Sequence, residues 1–313
     1  MTTLFRKLHT ATIESGVFRR ATRTRTGRRL LRSSPWARLR QFSRGRAIAT
    51  SRRRLPHLFV DTRTCFLFVG HTKSGGTLLG SLLDAHSRVM CADELGLAAA
   101  LVDIGDADVA FRLVARNAER EAQKGRVTAR RLEPYTFAVP GQSQGLVAPP
   151  LAVGDSRAGP TTRFLASQPD AVPRIRRVLG PVSLRLVHVV RNPFDPIAVM
   201  VVRGGRDVGD AIADYRAQCE RLVSLAMQMS SDELTIIRYE DVVDDVSQTL
   251  AHLCRFIGVE PDETYLAACR EVIDSKPRRD RDRIMWDRSS IAAVESVIDA
   301  YPFLGGYRFE AAR

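Results

Sequence analysis

Lys73, Ser74, Gly75, Gly76 and Thr77 stand together between two apolar stretches, Cys65-Phe66-Leu67-Phe68-Val69 and Leu78-Leu79-Gly80-Ser81-Leu82-Leu83. A lysine supplies a point positive charge, and hydroxyls and glycine amides supply short donors. Such a set is suited to holding a tetrahedral anion. A second cation, Arg191, stands where the apolar run Leu184–Val190 gives way to Asn192-Pro193. Its planar donor fork suits direct binding of a phosphate.

The elements that must position these residues follow from the flanking sequence. The run up to Val69 is β-prone and stops at Gly70, and the run from Leu78 reads as the start of a helix. Strand, glycine-rich loop, helix is the layout of a phosphate cradle. Gly70 and Gly75 have the spacing of a nucleotide-triphosphate loop, and Thr77 sits at its hydroxyl position. However, Gly76 takes the place of that loop's lysine, which has moved to Lys73. The cradle therefore expects an anion other than a magnesium-bound β/γ-phosphate pair. Pro193 ends the second strand, because it has no N–H and a fixed φ. Arg191 is left at the strand's C-terminal end, where doubly wound sheets bind ligands. A triphosphate hydrolase would often carry a magnesium-binding aspartate there.

Lys73-Ser74-Gly75-Gly76-Thr77-Leu78 resembles the 5′-phosphosulfate loop of the sulfotransferases that use 3′-phosphoadenosine 5′-phosphosulfate. Arg191-Asn192-Pro193 is similar to the family's 3′-phosphate motif, with Val199 where the family usually has a serine. Arg238-Tyr239-Glu240-Asp241 resembles another strand end of the family, whose tyrosine commonly lies near the adenine. Lys276-Pro277-Arg278-Arg279-Asp280-Arg281 looks like the C-terminal basic loop that closes on the 3′-phosphate. The resemblance covers about residues 63–309 and is strongest to bacterial-type members, through His188-Val189-Val190-Arg191-Asn192-Pro193 and the terminal Tyr301-Pro302-Phe303-Leu304-Gly305-Gly306-Tyr307. It implies that Lys73, Ser74, Gly75, Gly76, Thr77, Leu78, Arg191, Tyr239, Arg279 and Arg281 bind the donor.

It also implies sulfuryl transfer to a hydroxyl or amine, through a loose transition state with attacking and leaving oxygens in line. Lys73 would bridge the leaving oxygen and the sulfuryl group, and no metal is required. Glu94 is the expected base, because several relatives place a catalytic glutamate after the first helix. Asp93, His71 in the loop itself, and Asp155 are alternatives. Many relatives carry a lysine after the last of these, where this chain has Ser156 and Arg157. His188 reads as a core residue. The acceptor would be a small molecule, lipid or carbohydrate. Two other classes stay open. A P-loop kinase predicts magnesium-dependent triphosphate binding, and an inactive nucleotide-binding scaffold predicts donor binding without turnover.

The chain's 48 Lys+Arg and 35 Asp+Glu are unevenly spread. Residues 1–56 hold 16 of the bases and one acid, leaving residues 57–313 with 32 and 34. The basic character therefore belongs to an N-terminal arm, and the domain from residue 57 is nearly neutral. The arm reads as disordered, with weak contact to an anionic surface or a transit peptide as alternatives. It has no apolar run near the ~20 residues of a membrane span and no secretory signal. A cytoplasmic protein without a specific nucleic-acid module is expected. Cys65, Cys91, Cys219, Cys254 and Cys269 form no paired motif and read as buried free thiols.

Strands near 64–70, 182–191 and 234–239 alternate with helices near 77–87, 92–123, 162–179, 207–230, 244–257, 261–273 and 288–300, with one short strand in the Pro- and Gly-rich 134–161 region. That order predicts an α/β fold, a P-loop-type parallel sheet with helices on both faces.

Overall fold

The structure, a computed structural model, describes residues 57–127, 136–145, 148–273 and 278–309. The arginine-rich arm and Lys276-Pro277 lie outside these residues.

Five strands form one parallel sheet: β1 (Thr64–Gly70), β2 (Val89–Ala92), β3 (Ala152–Asp155), β4 (Ser183–Val190) and β5 (Leu234–Arg238), in the order β2-β3-β1-β4-β5. β1 is central, with Cys65 opposite Val153 on one side and Leu184 on the other. All seven of its residues are buried. Phe66 and Phe68 enter one core with Leu79, Leu82 and Val187, while Cys65, Leu67 and Val69 enter the opposite core with Leu101, Phe111 and Leu186. A strand covered on both faces must be apolar at every position, which is why this one was legible as an unbroken run.

Eleven α-helices lie among the described residues: α1 (Gly76–Asp84), α2 (Leu97–Ile104), α3 (Ala107–Gln123), α4 (Ala158–Ser167), α5 (Ala171–Leu179), α6 (Phe194–Gly204), α7 (Val208–Ala226), α8 (Tyr239–Asp244), α9 (Val246–Phe256), α10 (Glu263–Arg270) and α11 (Arg288–Ala300). α1, α9 and α10 line the first core, and α2 to α5 with the end of α7 line the second. A third core joins α6, the start of α7 and α11 to Leu304 and Tyr307 near the C-terminus. No helix among the described residues is long and apolar enough to cross a membrane.

The expected 92–123 helix is instead the end of β2 followed by two helices. They part at Gly105, and Asp106 caps the second by accepting from the Val109 amide at 3.0 Å. The 162–179 stretch likewise divides at Gln168-Pro169-Asp170. α6 was not foreseen. It starts on Pro193 and carries Pro196 in its first turn, where a missing N–H costs no intrahelical bond. Buried Asp84, at the end of α1, accepts from the Cys91 and Gly145 amides at 2.7 and 2.9 Å and pairs with Arg126. Arg126 and Gly145 are thereby tied to the end of α1 and, through it, to β2. All five cysteines are buried and unbridged, and burial pushes the thiols of Cys219, Cys254 and Cys269 up to about 12.

Candidate active site

Because all five strands run the same way, the residues that follow them gather at one edge of the sheet. Read across that edge in strand order, they are Asp93 and Glu94, then Ser156 and Arg157, then the 71–75 loop with Lys73 at its centre, then Arg191, then Tyr239. Four separate stretches of sequence thus flank the lysine, carboxylates on one side and Arg191 with Tyr239 on the other.

The central loop is held from behind. Thr162 accepts from the Gly70 amide at 2.9 Å, and Gln218 donates to the Gly70 carbonyl at 3.0 Å. His71 is buried, stacks on Tyr215 with ring centroids 3.6 Å apart, and has Nε2 3.0 Å from the Tyr215 carbonyl. Burial pushes its pKa down to about 4. His71 is thus an anchor between loop and α7, a buried neutral imidazole. His188 is also buried and pushed down to about 3, packed edge-on to Phe303 in the core as expected.

Lys73 takes a left-handed backbone conformation (φ 76°) and is exposed. Gly75 follows at φ 108° and begins α1 without any side-chain cap. A β-carbon there would lie 2.6 Å from the Tyr239 ring, so only glycine lets the loop and Tyr239 meet. Ser74 has a buried hydroxyl with no hydrogen-bond partner. An uncapped helix start beside an unsatisfied buried hydroxyl has the donors that an oxyanion would fill. Gly76 and Gly80 lie one turn apart on α1, and a β-carbon on the latter would fall 2.5 Å from Ser156 Cβ. This close approach seats α1 against the end of β3.

Arg191 donates to the Lys73 carbonyl at 3.2 Å and to the Arg278 carbonyl, and its guanidinium lies 4.9 Å from the centre of the Tyr239 ring. Asp280 is 3.3 Å from Nη2 and Asp195 is 3.6 Å from Nε. The arginine is held between two carboxylates, one of which, Asp280, comes from the basic loop. Val199 is buried in α6 and adds no donor. The two arginines expected from the basic loop have protein partners. Arg281 is buried, with its amide on Asp195 at 2.8 Å and its side chain on Asp195 and the Phe309 carbonyl. Arg279 pairs with Asp282 at 3.0 Å.

On the other flank, Glu94 has a positive φ of 55°, is half exposed, and lies 3.9 Å from Arg157. Asp93 is more enclosed. Asn117 clamps its backbone from both sides, and its carboxylate accepts from Ser156 at 3.1 Å. Burial raises its pKa. Asp155 accepts from the amides of Leu95, Gly96 and Leu97 at 3.0, 2.7 and 2.9 Å and so closes the start of α2. Burial nevertheless pushes it up to about 6. With every donor coming from the protein backbone, Asp155 is a strut beneath Glu94.

Sequence reasoning missed Glu240. It accepts from the Asn192 amide at 3.1 Å and from the Tyr307 hydroxyl at 2.6 Å, joining the ends of β4 and β5 to the C-terminal turn. Its place next to Tyr239, and the tyrosine that closes the terminal glycine motif, were the available signals.

Comparison with known proteins bears on the family. No curated protein matches the sequence directly. Among solved structures, sulfotransferase STF9 from Mycobacterium avium aligns at TM-score 0.48 and 10% identity, over 86% of each chain. The sulfotransferase domain of the Synechococcus PCC 7002 olefin synthase aligns at 0.44 and 17%, over 77% of this chain and 95% of its own. Mouse sulfotransferase SULT7A1, complexed with PAP, aligns at 0.41 and 10%, over 79% and 88%. The family model described as "Sulfotransferase family" matches residues 66–263, from the central strand to the start of α10. The chain therefore belongs to the sulfotransferase family.

Proposed function

We propose that this sulfotransferase takes its sulfuryl group from 3′-phosphoadenosine 5′-phosphosulfate and passes it to a hydroxyl or amine. The observation that carries this is the loop itself. Its uncapped helix start, the unsatisfied Ser74 hydroxyl and an arginine bonded to the Lys73 carbonyl together form an anion cradle without the triphosphate lysine. The amides of Ser74 to Leu78 and the hydroxyls of Ser74 and Thr77 hold the 5′-phosphosulfate. Arg191 faces the 3′-phosphate, and Tyr239, stacked beneath it, faces the base. Arg281 and Asp195 position Arg191 and the loop above it. Arg279 reaches the 3′-phosphate by leaving Asp282.

In the transfer step the acceptor oxygen bonds to sulfur as the sulfur–oxygen bond to the 5′-phosphate breaks. The electron pair goes to the leaving phosphate oxygen, where Lys73 offsets the charge. The acceptor's proton goes to Glu94, the exposed carboxylate of the opposite flank. The acceptor is a small molecule, a lipid alcohol or a carbohydrate. Residues 57–313 form the catalytic domain, and the 1–56 arm takes no part in donor binding.

Calorimetry without magnesium tests this. Micromolar binding of 3′-phosphoadenosine 5′-phosphate and weak binding of ATP are expected, unchanged on deleting residues 1–50. A preference for ATP that depends on magnesium would instead make the protein a kinase. Donor-product binding with no turnover of any acceptor would make it a scaffold.

A further inference from the structure

On the Glu94 side of the loop the surface carries arginines that the donor site does not use. Arg157 starts α4 and runs beside Glu94, its Nη1 2.7 Å from where a β-carbon on Gly96 would stand. Arg163 lies on α4 one turn after Gly159, the residue packed against Thr72 of the loop. Gln218 of α7 donates to the Gly159 carbonyl at 3.1 Å and accepts from Arg221 at 3.3 Å. That bridge brings Arg221 against α4. Arg206, just before α7, adds a fourth guanidinium and is paired with Asp214. Arg163 and Arg221 have no acid within ion-pair distance among the described residues. Arg270 on α10, by comparison, pairs with Glu263 at 3.0 Å.

Composition does not account for the cluster, since residues 57–313 hold more acids than bases. Partial burial, then the charges of Arg221, Arg157 and Arg206, lower the pKa of Arg163. Like charges gathered at a rim raise the free energy of the empty protein and lower that of a bound anion. The rim begins at Glu94 and Arg157, on the β3 side of Lys73, and continues along α4 to the part of α7 that Gln218 joins to it.

We propose that the acceptor is itself an anion, with a carboxylate, sulfate or phosphate held by Arg163 and Arg221 while its hydroxyl meets Glu94. This rests on the sulfuryl-transfer assignment above. It makes the two arginines specificity residues of the acceptor pocket, a function distinct from donor binding.

The test uses the full chain saturated with 3′-phosphoadenosine 5′-phosphate, so that the loop is filled, with inorganic pyrophosphate as the probe. Saturable, salt-sensitive binding is expected, weakened about tenfold or more in an Arg163→Gln, Arg221→Gln double variant. The variant should keep wild-type affinity for the nucleotide. Equal binding by the two proteins, or none by either, overturns the proposal. Transfer assays with glucose, glucuronate, glucose 6-sulfate and glucose 6-phosphate, and with matched neutral and acidic phenols, then separate the three anions. An acidic member should exceed its neutral partner in kcat/KM, and the double variant should remove that advantage through KM. Preference for neutral members overturns the anionic acceptor and leaves sulfuryl transfer intact. Failure of the nucleotide to bind at all removes the sulfuryl-transfer assignment and this proposal with it.

Discussion

In the proposed transfer Lys73 and Glu94 divide the chemistry, and their variants should fail differently. Lys73→Ala removes charge stabilisation of the leaving oxygen and should lower kcat by about 10²- to 10³-fold. Glu94→Gln should keep nucleotide affinity and lose turnover by about 10²-fold or more, read in a single-turnover transfer assay. Normal turnover by the glutamine variant would move the base to Asp93, the other acid of that loop. Arg191 gives a prediction of opposite sign. Asp280 supplies the negative charge that a 3′-phosphate would supply, at 3.3 Å from the guanidinium. Asp280→Ala should therefore tighten binding of 3′-phosphoadenosine 5′-phosphate severalfold by calorimetry, whereas Arg191→Ala should weaken it. The two cations were legible because each follows closely on an apolar strand. The internal carboxylate was not, because it arrives from a loop almost ninety residues away, and only the folded chain shows which acid meets which base. The same limit applied to Asp155 and His71. Their residue types fit proton transfer, but backbone partners that no local pattern reveals tie them to the scaffold.

At the scale of elements, the site depends on how closely α1 and the tyrosine of α8 approach. Gly75→Ala puts a β-carbon into the Tyr239 ring at a positive φ. It should cost about 1–3 kcal/mol in chemical denaturation. It should also weaken nucleotide binding more than Lys73→Ala does, because it displaces both the loop amides and Tyr239. The long apolar strands and the helices with uninterrupted periodicity were legible in the sequence. β2 was not, since four residues carry too little pattern, and α6 was hidden by two prolines in its opening turn. Those two elements decide the lateral order at the sheet edge and the wall behind Arg191. The candidate residues were therefore readable before their arrangement was.

For the whole molecule, the buried histidines set a pH dependence. His188 is pushed down to about 3, so the folded state excludes a proton that the unfolded chain binds below about 6.5. Its stability contribution is complete above 6.5 and is lost as pH falls toward 3. Relative to wild type, His188→Leu should gain about 1.4 kcal/mol per pH unit as pH drops from 6.5 to 4, measured by urea denaturation. Asp84 and Asp155, raised to about 6, have the opposite sign and are common to both proteins, so they cancel in the difference. The unbridged cysteines have a further use. Cys65 belongs to the second core, Cys219 to the third, and Cys91, Cys254 and Cys269 to the first. A thiol reagent cannot reach any of them in the closed fold, so its rate of reaction is a clock for opening. Because the sulfurs are shared out among all three cores, the order in which they are labelled gives the order in which those cores come apart, with no probe added to the protein.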